Sequence, residues 1–201
     1  DVLRVADPSD WSRAAADQKL ALAPGVEGAH MLDGRLGRVE SLAERGVAYL
    51  TLTHFSKNSA ATPSIGRKAN EDDGLTDFGR DLVAALEAHR ITVDLAHLNT
   101  PGVLETCTVA TRPLFCTHTG VKGVHDNPRN ISDAEIDAIA ETGGVIGIIF
   151  APFFLTGQLK ADSTCVADHA AYVADRVGVD HLGIGSDYDG WIPSIPSDQR
   201  D

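Results

Sequence analysis

Residues 91–118 read ITVDLAHLNTPGVLETCTVATRPLFCTH. Two apolar runs, 91–96 and 113–117, each end on a histidine, His97 and His118. A strand buried on both faces reads as a continuous apolar run of this length. Between the runs, Thr100-Pro101 opens a helix near 100–111, with proline at the favoured first position. A strand–helix–strand step of this kind lays its two strands parallel and adjacent through a right-handed crossover. Both imidazoles then leave the sheet at the same end, within reach of one ion.

The same pattern extends in both directions. ALAPGVE (21–27) ends on Glu27, VAYLTLTH (47–54) on His54, and HLGIGSD (181–187) on Asp187. With a run at 144–150, the sequence predicts six strands, at 21–27, 47–53, 91–96, 113–117, 144–150 and 181–186. Helices are expected between and around them. One covers 8–20, capped at Ser9 or Asp10, and one covers 34–46, stopped by Gly46. Another covers 76–90, capped by Thr76, and a further one opens on a Ser132/Glu135 capping box and closes at Gly143. The last covers 163–177. Strand–helix alternation of this regularity predicts an α/β fold with a parallel sheet. The loop at 55–73 has no periodicity and reads as a functional lid or mobile segment following His54. The stretch 151–160 reads as irregular.

Composition narrows the function class. Seventeen Lys and Arg against 29 Asp and Glu give a net charge of −12. That balance argues against nucleic acid or an anionic membrane surface as partner, since both reward basic clusters. No apolar stretch approaches the roughly 20 residues of a membrane-spanning helix. Cys107, Cys116 and Cys165 include no C-x-x-C pair, so they read as free thiols in a reducing compartment rather than a disulfide framework or thiolate metal site.

In a parallel barrel, the ends of the strands carry the chemistry. Glu27, His97 and His118 form a plausible metal-ligand set, and neutral imidazoles suit zinc. Glu27 lies between glycines, and its two oxygens suit a bridge between two ions. His54 reads either as a further ligand or, preferably, as a hydrogen-bond donor to developing negative charge. Asp187 suits proton transfer from a water and back to a leaving amine, while Asp189 reads as a turn residue. Arg129 reads equally as an exposed loop arginine or as a clamp on a substrate carboxylate. His30 is a candidate supporting partner. His89, His125, His169 and His181 read as non-ligands.

The stations GVEGAH (25–30), GVAYLTLTH (46–54), GLTDFGRDLV (74–83), VDLAH (93–97), THTG (117–120), NPRNISD (127–133) and VGVDHLGIGSDYDG (177–190) occur in this order. Together they resemble the membrane dipeptidase (renal dipeptidase) family of zinc peptidases, bacterial members included. The resemblance implies a TIM-type (β/α)8 barrel, of which this chain carries the third to eighth strands. It also implies a two-zinc site that hydrolyses dipeptides through a metal-bridging hydroxide. By the same resemblance, Glu27 is the bridging carboxylate, and His97 and His118 are the other protein ligands of one zinc. His54 and Arg129 contact substrate, and Asp187 is the acid/base. The family's other zinc uses an H-x-D pair on the first strand, and no H-x-D occurs in these 201 residues. The expectation is therefore one partial barrel domain over 1–201, truncated at both ends of a longer protein. Two rival readings are a non-catalytic fragment and a related barrel hydrolase acting on another amide or an ester. A homodimer is the assembly to test.

Overall fold

Each of the six apolar runs contributes one short strand to the main sheet, and every pairing between them is parallel. The computed structural model describes residues 1–5 and 9–188. The main sheet consists of β3 (Gly25–Glu27), β4 (Tyr49–Thr51), β5 (Thr92–Asp94), β6 (Phe115–Thr119), β7 (Val145–Ile148) and β8 (Leu182–Ile184), hydrogen-bonded in chain order. Helices α2 (Arg38–Glu44), α3 (Asp77–Ala88), α4 (Thr100–Val109), α5 (Asp133–Glu141) and α7 (Ser163–Val177) alternate with these strands. Sequential parallel order with one crossover per step is the wiring of a (β/α) barrel, here with six strands. Leu50, Leu52, Val93, Leu95, Ile146 and Ile148 sit at 0–1% exposure in a core continuous with the helices. The buried chain thus follows the apolar runs directly.

Helix boundaries follow local chemistry. The Thr76 side chain accepts from the Gly79 N–H at 3.0 Å, as its N-cap assignment requires. Glu135 accepts from the Ser132 N–H at 2.7 Å, closing the expected box. The cap of α4 is Asn99, one residue earlier than Thr100-Pro101 suggested, with its Oδ1 accepting from the Gly102 N–H.

Three expectations are corrected. The run 21–27 is two strands. Leu20–Leu22 (β2) pairs with Val2–Arg4 (β1) in a separate parallel sheet, and the main sheet restarts at Gly25. Pro24 has no N–H to continue a ladder, so the run breaks there. β1 lies upstream of the first predicted element, and α1 (Ser9–Ala16) joins it to β2. The loop 55–73 is packed, with Ala60, Ala61 and Thr62 fully buried. Asn58 accepts from the Ala60 and Ala61 N–H groups and donates to the Leu52 carbonyl, and Asn99 donates to the Asn70 and Asp73 carbonyls. Side-chain bonds to backbone thus replace secondary structure there. Within 151–160, Pro152–Thr156 forms a short helix, α6, ended by Gly157 at φ 72°.

Candidate metal centre

β3, β5 and β6 deliver Glu27, His97 and His118 to one point. Nε2 of His97 lies 2.9 Å from Nε2 of His118 and 2.9 Å from Oε1 of Glu27, and His118 Nε2 lies 3.4 Å from the same oxygen. Two donors on one zinc at ~2.0–2.1 Å stand about 2.9 Å apart at a right angle and about 3.4 Å at the tetrahedral angle. All three separations match that range, so the residues fit a single ion of this kind. Among the described residues, this trio is the only group of three or more metal-ligating side chains that converges in this way.

Protonation states also suit ligation. Burial, followed by the nearby Arg129 charge, pushes His97 down to about 2. A metal takes a carboxylate and a neutral imidazole, and these are the forms present at neutral pH.

Backbone and register aim the donors. His97 adopts φ 68° and Asp187 φ 58°, a region that non-glycine residues rarely occupy and that concentrates at functional sites. In the β6–β7 ladder, Cys116 pairs with Ile146 but Thr119 with Ile148, so β6 carries one extra residue at Thr117–His118. A bulge of this type re-aims side chains beside active sites. The His118 ring therefore turns into the site from within its strand, not past its end.

His54 joins the group. Its Nε2 is 3.8 Å from Oε2 of Glu27, and its ring stacks edge-on against His97 at 4.6 Å. Glu27 thus turns one oxygen to His97 and His118 and the other to His54. Arg129 is not an exposed loop residue. It is 3% exposed, lies 5.9 Å from the Phe154 ring centroid and donates through Nη2 to the His118 carbonyl at 3.0 Å. Its buried Nε has no hydrogen-bond partner among the described residues.

Asp187 stands apart from the trio. It lines, with Glu27 and His118, a cleft of about 560 Å³. Asp189 lies outside the described residues. His30 binds the Ser56 carbonyl and hydroxyl, not the site. His169 is fully buried, with Nδ1 accepting from the Val121 N–H and Nε2 donating to the Leu155 carbonyl, a structural role. The three cysteines are free.

Two contributors escaped the reading of the sequence. Asp94 is fully buried and accepts from Thr51, Ala96 and Thr117, and Thr117 contacts Nδ1 of His118 at 2.9 Å. An aspartate within a doubly buried apolar run was the available signal, because such a group needs partners.

The sequence pattern of the membrane dipeptidases (peptidase family M19) matches residues 1–200. The chain belongs to the membrane dipeptidase family. Among its relatives, Dipeptidase 3 of Mus musculus is 34% identical over 176 residues, covering 86% of this chain and 36% of the relative. Dipeptidase tcpJ of Claviceps purpurea is 32% identical over 186 residues, covering 92% and 43%. A Rhodobacter sphaeroides metallopeptidase, solved with a phosphinate mimic of the dipeptide L-Ala-D-Ala, superposes with a TM-score of 0.89 at 27% identity, covering 98% of this chain and 57% of that one. The chain therefore spans less than half the length of these two curated relatives. No helix among the described residues is long and apolar enough to cross a membrane.

Proposed function

We propose that this protein works as a zinc-dependent dipeptidase, with Glu27, His97 and His118 holding one zinc. The triangle of donor atoms described above carries the reading. Zinc held there supplies Lewis acidity for the scissile carbonyl and activation of the attacking water. Oε2 of Glu27, turned away from the two histidines, remains available to a second ion. The six strands then serve as the third to eighth of an eight-stranded barrel, one domain over 1–201. The open edges of β3 and β8 among the described residues are consistent with this placement.

The surrounding residues take complementary parts. His54, beside Glu27 and partly exposed, donates a hydrogen bond to the oxygen on which charge develops. Arg129 has unmet donor capacity at Nε, and a substrate carboxylate bound bidentately satisfies it. Asp187, facing the cleft that Glu27 and His118 line, accepts the proton of the water and returns it to the departing amine.

The test is zinc content together with turnover on a substrate panel. The Rhodobacter neighbour's ligand puts L-Ala-D-Ala first in that panel, beside L,L-dipeptides, longer amides and esters. Dipeptide hydrolysis lost on chelation and restored by zinc is the expected result. His118→Ala should lose both zinc and turnover. Unchanged turnover in that variant overturns the assignment, and hydrolysis confined to esters overturns the substrate class.

A further inference from the structure

We propose that Asp94, acting through Thr117, is a positioning residue that presets His118 in the tautomer a metal ion requires. The inference rests on the metal-site reading above and extends it to residues that touch no ligand.

Asp94 is an acceptor on both oxygens. Oδ1 of Asp94 accepts two backbone N–H groups, from Ala96 at 3.1 Å and Thr117 at 2.8 Å. Oδ2 accepts two hydroxyls, Thr51 at 2.5 Å and Thr117 at 2.8 Å. A threonine hydroxyl has one proton, and that of Thr117 is committed to Asp94. Towards Nδ1 of His118, 2.9 Å away, the same oxygen acts only as acceptor. Nδ1 therefore carries the imidazole proton, and the lone pair lies on Nε2, the atom in the triangle. His97 has no such arrangement, for its Nδ1 is buried without a partner among the described residues. Of the two imidazoles, only His118 has its tautomer set from behind.

The fold holds the relay in place. Consecutive side chains of a regular strand point to opposite faces, so Thr117 and His118 meet only because of the bulge at this position. The Thr117 carbonyl is enclosed by Gly147 and Gly185, where an added Cβ would lie 2.1 and 1.8 Å from its oxygen. Metal-bound histidines are oriented in this way by outer partners, whose loss lowers metal affinity by about 10–100-fold.

Asp94→Asn is then not a neutral isostere. The two backbone N–H groups can only donate, so they keep the amide oxygen and turn its NH2 towards the threonine hydroxyls. Thr117 now accepts from the amide and points its own proton at Nδ1. The imidazole proton moves to Nε2, and the lone pair is lost from the metal side.

The test measures zinc affinity by competition with a chromophoric chelator, and the His118 tautomer by 15N NMR of the metal-free protein. Asp94→Asn should weaken zinc binding by about 10–100-fold and convert His118 from the Nδ1–H to the Nε2–H form. Thr117→Val should weaken binding by about tenfold and leave His118 without its fixed Nδ1–H form, and Thr117→Ser should restore both wild-type affinity and tautomer. Should Asp94→Asn fail to fold, the Thr117 pair decides alone. Equal zinc affinity in the Val and Ser variants, or a wild-type His118 in the Nε2–H form, overturns the proposal. If His118→Ala keeps wild-type zinc affinity, the metal-site reading fails first. If His118→Ala loses zinc while Thr117→Val retains it, only the positioning role fails.

Discussion

Glu27 and His54 show how little separates a proposed ligand from a neighbour at this site. Both are partly exposed, and their facing atoms are 3.8 Å apart, whereas Glu27 meets His97 at 2.9 Å. His54 thus stands beside the donor triangle and outside it. The function proposed for it predicts a specific kinetic result. Loss of an oxyanion donor lowers kcat by about 10²–10³-fold, so His54→Ala should show that loss with zinc content unchanged. Zinc falling in parallel with kcat would instead make His54 a ligand, the alternative its sequence position left open. Arg129 teaches a related lesson. Its motif gave no means of choosing between a solvated loop and a clamp, because burial of a loop arginine depends on what folds over it, here the ring of Phe154.

At the scale of elements, apolar runs and caps were legible because their physics is local. Thr76 and Glu135 reach only three residues along the chain, and β4, β5 and β7 need only a run of buried side chains. The bulge in β6 was not legible, since an extra residue shows only against a partner's register, and CTHT reads the same with or without one. The short strand at Leu20–Leu22 was hidden for the same reason, as its partner is Val2–Arg4 and not the main sheet. Two glycines make the bulge possible. A Cβ at Gly185 would lie 1.8 Å from the Thr117 oxygen and 3.0 Å from the His118 Cα, both backbone atoms that cannot rotate away. Overpacking costs about 1–3 kcal/mol and more when backbone must move, so Gly185→Ala should cost ~3 kcal/mol and weaken zinc binding through His118. Gly37→Ala, with nothing within 4 Å of the new Cβ, is the control. Equal melting temperatures and zinc affinities in the two variants would refute the clamp on Thr117.

For the molecule as a whole, an ion at the trio would act as a cross-link. Its ligands come from β3, β5 and β6, so one bound metal ties together four adjacent strands, with β4 enclosed between them. Burial of His97 without a partner for Nδ1, and two strained backbone positions, oppose folding at this rim. Metal binding to the folded state then offsets that opposition by mass action, contributing about 2.7 kcal/mol at a hundredfold excess over Kd. For a chain of 150–250 residues each kcal/mol moves the melting temperature by about 2–4 °C, so saturating zinc should raise it by roughly 5–10 °C. Calorimetry with and without zinc measures this directly. The same addition to His118→Ala should leave the midpoint where it was, because two donors from β3 and β5 no longer enclose the ion. An equal rise in both proteins would mean that zinc stabilises the fold from somewhere other than this rim, and would remove the link drawn here between sheet and site.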